Sequence, residues 1–124
     1  MSQTNILIKF KQLIISFCEE LSSLFPDEPD FKMMKVLTNA PGMEKFLMDK
    51  LITQLKREDI DIRKLVKERD DEYFTSHNPF SFLSDQRNKK LVGIWQSGKL
   101  DDDDKDALWQ WVDVFFKLAD MYSA

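Results

Sequence analysis

Residues 5–24 read NILIKFKQLIISFCEELSSL, and the spacing of their apolar side chains decides the fold. Ile6, Leu7, Phe10, Leu13, Ile14, Phe17, Leu21 and Leu24 recur at three- and four-residue steps, while Lys9, Lys11, Glu19 and Glu20 fall largely off that stripe. A period near 3.6 is the signature of an amphipathic helix with one face turned to a core. Thr4 or Asn5 offers a side-chain oxygen to the free backbone N–H groups at its start. Phe25-Pro26-Asp27-Glu28-Pro29 ends it, because a residue before proline is steered out of the helical region.

Working outward, the same period returns five more times. A short helix near 29–39 opens on Pro29 and carries Phe31, Met34 and Leu37 on its stripe, until Asn39-Ala40-Pro41-Gly42 breaks it. A third spans 42–56 with Met43, Phe46, Leu47, Leu51 and Leu55 inward. A fourth covers 61–74, capped by Asp61, with Ile62, Leu65, Val66, Arg69 and Tyr73 along one side. Ser76-His77-Asn78-Pro79 reads as a turn. A fifth helix runs over 84–97 with Leu91, Ile94 and Trp95 inward, Ser84 or Asp85 as its cap and Gly98 as a left-handed stop. The last runs over 102–122, with Asp101–Asp104 at its start, where negative charge complements the helix dipole. The expected architecture is all-α: one domain over 1–124, a compact bundle of five or six amphipathic helices joined by short loops.

Composition agrees with this reading. The 43% hydrophobic and 32% charged residues are a globular balance, and of only three glycines and four prolines all but Gly93 lie outside or at the edges of the periodic stretches. The 124 residues are enough for one core. The net charge of −4 sits almost entirely in residues 101–124, which hold seven acidic and two basic side chains. That bias argues against nucleic-acid binding, which relies on neutralising phosphates. A basic face would have to arise by segregation of Arg57, Arg63, Lys64, Lys67, Arg69, Arg87, Lys89 and Lys90. One cysteine, Cys18, lies within the first apolar stripe and has no partner for an internal disulfide, which implies a reducing, cytoplasmic setting. No run reaches the roughly 18 apolar residues of a membrane span.

Catalytic and metal chemistry find little footing. With one histidine, His77, and one cysteine, a structural zinc site and a Cys–His pair have no basis in spacing, and His77 reads as a surface or capping residue. Asp101-Asp102-Asp103-Asp104-Lys105-Asp106 resembles a calcium loop only in charge: Asp106 and Val112 stand where the loop needs glycine and glutamate. No cofactor and no small-molecule substrate is implied. Asn78-Pro79-Phe80 matches a tripeptide bound by EH domains, but a turn with Phe80 buried explains it more simply.

The feature that points to function is aromatic. Trp95, Trp109, Trp111, Phe115, Phe116 and Tyr122 fall within the last 30 residues. On the final helix Leu108, Trp111, Val112, Phe115, Ala119 and Tyr122 form one stripe, and Trp109 and Phe116 widen it beyond an ordinary core face. Tryptophan and tyrosine dominate binding hot spots. These six residues are therefore the expected partner-binding surface, for another protein or a second copy of the chain.

Ile94-Trp95-Gln96-Ser97-Gly98-Lys99-Leu100, followed by Lys105, Leu108-Trp109-Gln110-Trp111-Val112 and Phe115-Phe116-Lys117-Leu118-Ala119, resembles a pattern in short helical proteins of giant nucleocytoplasmic DNA viruses. Phe80 and Phe82 fit it as well, and Trp111 departs from it where tyrosine or another aromatic is more usual. The resemblance spans about residues 79–120. It implies a viral origin, a virion component or an accessory factor of the infected cytoplasm, and no chemistry. A small carboxylate-metal enzyme and a nucleic-acid-binding accessory factor are the alternatives to a non-enzymatic interaction module.

Overall fold

A computed structural model describes residues 2–77, 79–80 and 82–124. Among them every regular element is a helix, seven in all: α1 (Gln3–Leu24), α2 (Pro29–Thr38), α3 (Met43–Leu55), α4 (Ile62–Lys67), α5 (Asp71–Ser76), α6 (Asp85–Gln96) and α7 (Asp102–Ser123). The helical class expected from periodicity holds, and the count rises because the expected helix over 61–74 is two. Arg69 adopts a left-handed backbone, φ 55°, and breaks it. The turn closes through the Asp70 N–H to the Leu65 carbonyl and the Arg69 N–H to the Val66 carbonyl, both 3.0 Å. This is the closure usually built on glycine.

Local chemistry sets most other ends. Ser2, rather than Thr4 or Asn5, caps α1 by accepting from the Asn5 N–H. Asp61, Asp70 and Ser84 cap α4, α5 and α6 in the same way. Asp101 and Asp104 satisfy each other's backbone N–H groups in a capping box at the head of α7. Gly98, φ 78°, turns the chain after α6.

α1 is the hub, packing against α2, α3 and α7. It runs antiparallel to α7: Gln3 donates to the Tyr122 carbonyl at one end, and the Trp111 indole donates to Glu20 at the other. Between them lies a ring core. Phe17 meets Phe80, Phe82, Trp111 and Phe115 with centroids 4.7 to 6.4 Å apart. A second cluster stacks Phe74 on Trp95 at 3.8 Å, with the Trp109 ring edge-on to both. The connection between α5 and α6 supplies part of this core, since Phe80, Phe82 and Leu83 are fully enclosed. Ion pairs pin the periphery: Arg63 and Arg69 each make two-pronged contacts, to Asp120 and Asp113, tying α4 and the turn after it to α7. Lys90 of α6 reaches Glu28 and Asp30 at the head of α2.

Three expected core residues stand outside. Phe46 is 55% exposed because α3 buries only Leu47, Met48 and Leu51, and Phe46 lies about 100° around the helix from Leu47. Lys50 covers its outer face, with Nζ 4.9 Å from the ring centroid. Leu24 and Leu37 also face solvent. Phe17→Ala is therefore expected to cost about 3–5 kcal/mol of stability, and Phe46→Ala about 0.5 kcal/mol or less, read from urea midpoints. Equal losses would contradict this division between core and surface.

Candidate functional site

The six aromatic residues separate into two groups. Trp95 and Trp109 are 3% exposed, Phe115 1% and Phe116 5%, so these four belong to the core. The expectation that α7 carries more ring surface than a small bundle can cover is corrected here for a definite reason. α7 is covered on two flanks: α1 with the Phe80 and Phe82 rings closes over Phe115, while Phe74 and Trp95 close over Trp109. Phe80, Phe82 and Leu83 lie in a stretch with no helical period, so periodicity assigns them no place in the core.

Trp111 and Tyr122 remain half-exposed. Trp111 stacks on Phe115, centroids 5.6 Å apart, and donates its indole N–H to a Glu20 carboxylate oxygen at 2.5 Å. Trp95 differs, since its buried Nε1 has no hydrogen-bond partner among the described residues. A tryptophan with one apolar flank fixed and the other open suits a binding surface.

Around Trp111 the outer seam between α1 and α7 opens into a shallow groove of about 340 Å³, lined by Leu13, Glu20, Ala107, Gln110, Trp111 and Val114. Val114 and Met121 are each 38% exposed. Ala107, Trp111, Val114, Leu118 and Met121 follow one another at three- and four-residue steps, so they share one strip along α7. Of these only Trp111 belongs to the expected surface. Val114 and Met121 were masked in the sequence by the larger rings beside them, although their spacing was visible.

Other candidate chemistry finds different settings. Cys18 is buried, and burial pushes its thiol up from 9.0 to about 12, with Arg87 and Lys35 opposing weakly. His77 ends α5, stacked on Tyr73 at 5.4 Å. Among the described residues no three His, Cys, Asp or Glu side chains gather closely enough to hold a metal ion. Of the eight basic residues proposed for a nucleic-acid face, Arg57, Arg63, Arg69 and Lys90 are paired with carboxylates. Pro79 and Phe80 are buried, and Asn78 of the EH-type tripeptide lies outside the described residues.

The thiol gives a pH dependence with a definite sign. The folded state keeps the Cys18 proton that the unfolded chain releases, so its contribution is complete below pH 9 and is lost as pH rises from 9 toward about 12. The Tyr73 hydroxyl, raised by burial, acts in the same direction. Urea midpoints are expected to fall less steeply over this range in Cys18→Ala than in the parent. The folded parent should also resist thiol-specific labelling at pH 8 until denaturant is added, and fast native labelling would contradict the enclosed thiol.

Compared with known proteins, the chain matches no family model, no curated protein and no solved structure.

Proposed function

We propose that the protein is a non-enzymatic helical interaction module that docks a protein partner along the outer α1/α7 seam. One observation carries this reading: a half-exposed tryptophan stands in an apolar groove with Leu13, Ala107 and Val114 beside it. Burying such a strip against a partner removes apolar area from water at roughly 25 cal/mol per Å². A central indole ringed by smaller apolar groups is a common form of a binding hot spot. The expected surface thus narrows from six aromatic residues to Trp111 and Tyr122, joined by Val114 and Met121. The resemblance of residues 79–120 to short helical proteins of giant DNA viruses supports a virion or an infected cytoplasm as the setting.

α2 carries a second apolar row, Met33, Val36 and Leu37. It lies on the outside of a ten-residue helix and holds no tryptophan or tyrosine. The seam therefore supports the reading better.

The test is a photo-crosslinking residue placed at Val114 or, as a control, at exposed Gln96, in cells that naturally make the protein. Protein adducts are expected from position 114 and not from 96. No adduct at 114, or equal adducts at both, would remove the reading.

A further inference from the structure

The charges that flank the seam identify its occupant. Lys9 stands one turn before Leu13 on α1, and Glu20 lies seven residues after it, so all three share the outer strip. On α7 the corresponding positions are Asp103, one turn before Ala107, and Lys117, one turn after Val114, on the outward face and bordering the recess between α4 and α7. Because the helices are antiparallel, Lys9 and Lys117 fall at one end of the seam and Glu20 and Asp103 at the other. The strip is basic at one end, acidic at the other and apolar between.

These four charges are free of the ion pairs that tie other parts of the bundle together. Lys35, Arg57, Arg63, Arg69 and Lys90 all have carboxylate partners, whereas Lys9, Glu20, Asp103 and Lys117 form no ion pair among the described residues. Glu20 receives only the neutral indole N–H of Trp111.

We propose that the seam is the contact of a symmetric homodimer, formed with a second copy of this chain about a two-fold axis lying across α1 and α7. This rests on the interaction reading above and names its partner. An axis across the helices reverses their direction, so each helix meets its own copy antiparallel. Lys9 then faces Glu20 of the second copy, and Asp103 faces Lys117 of the second copy. The alternative axis, parallel to the helices, would set Lys9 against Lys117 and Glu20 against Asp103, which like-charge repulsion opposes.

The registers agree with one axis. Gln110 is midway between Asp103 and Lys117, and the midpoint of Lys9 and Glu20 falls between Ile14 and Ile15. Phe10 meets Phe115 and Phe17 meets Trp111, so that point of α1 is level with α7 within about one turn of Gln110, or ~5 Å. Gln110 and Ser16 are exposed and uncharged near the centre, and Gln110 donates to the Asp106 carboxylate one turn away.

Size fits as well. Two helices of 22 residues are each about 33 Å long and together ~20 Å wide, giving a face of roughly 660 Å² before side-chain relief is counted. Standard interfaces bury about 800 Å² per partner.

Sedimentation velocity of the full chain across a concentration series is the experiment, with circular dichroism confirming that each variant is folded. A reversible monomer–dimer equilibrium, weakened by salt, is expected. Val114→Glu should raise the dimer dissociation constant at least about tenfold, and Lys117→Glu and Asp103→Lys should each weaken it by roughly threefold or more. The double variant Asp103→Lys/Lys117→Glu should recover most of the parent affinity, because the swapped charges meet again across the axis. Met33→Glu/Val36→Glu on α2 should leave the equilibrium unchanged. A parent that stays monomeric to about 0.5 mM overturns the proposal, as does a dimer broken by the α2 variant instead, or a double variant no better than the single ones. If position 114 crosslinks only to a different protein, the homodimer falls while the interaction reading stands; if it crosslinks to nothing, both fall.

Discussion

The structure depends on closing ring surface over Phe17. This side chain sits in the middle of α1 and touches rings from α7 and from the 79–83 connection at once. Edge-on and tilted ring pairs add about 0.5–1.5 kcal/mol each beyond the area they bury. The Phe80 and Phe82 rings pack against both helices, meeting Phe17 of α1 and Phe115 of α7.

Helical class, most helix ends and the inward stripes of α1 and α7 were legible in the sequence, because periodicity and capping chemistry are local. Asp61, Ser84 and Gly98 act where their residue types suggest. What the sequence concealed is long-range. Arg69 is a good helix former by intrinsic preference, yet it takes a left-handed backbone costing about 1–2 kcal/mol. Its guanidinium is held by Asp113, 44 residues away, and lies 5.7 Å from the Trp109 ring centroid. No local pattern reports such a partner.

The candidate surface was legible only in part. The sequence drew attention to the aromatic content of α7, where the half-exposed Trp111 and Tyr122 stand. It could not show which rings would find covers within the chain, since Trp109 and Trp111 are neighbours of the same general type with different fates. Trp109 points toward Phe74 and Trp95, whereas Trp111, about 200° around the helix, opens beside α1. The smaller residues Val114 and Met121 stay exposed on the same strip of α7.

The pairing of the first helix with the last bears on how the chain is made. Gln3 and Tyr122 bond across 119 residues of sequence, and Glu20 and Trp111 across 91. During synthesis, α1 leaves the ribosome long before α7 exists, so Phe10 and Phe17 lack their Phe115 and Trp111 covers until the far end of the chain is made. At about 5–20 residues per second the interval is on the order of ten seconds. Through it, α2, α3 and then the Phe80 and Phe82 rings are made ahead of α7, and they act as an internal chaperone for a stripe that the final helix completes.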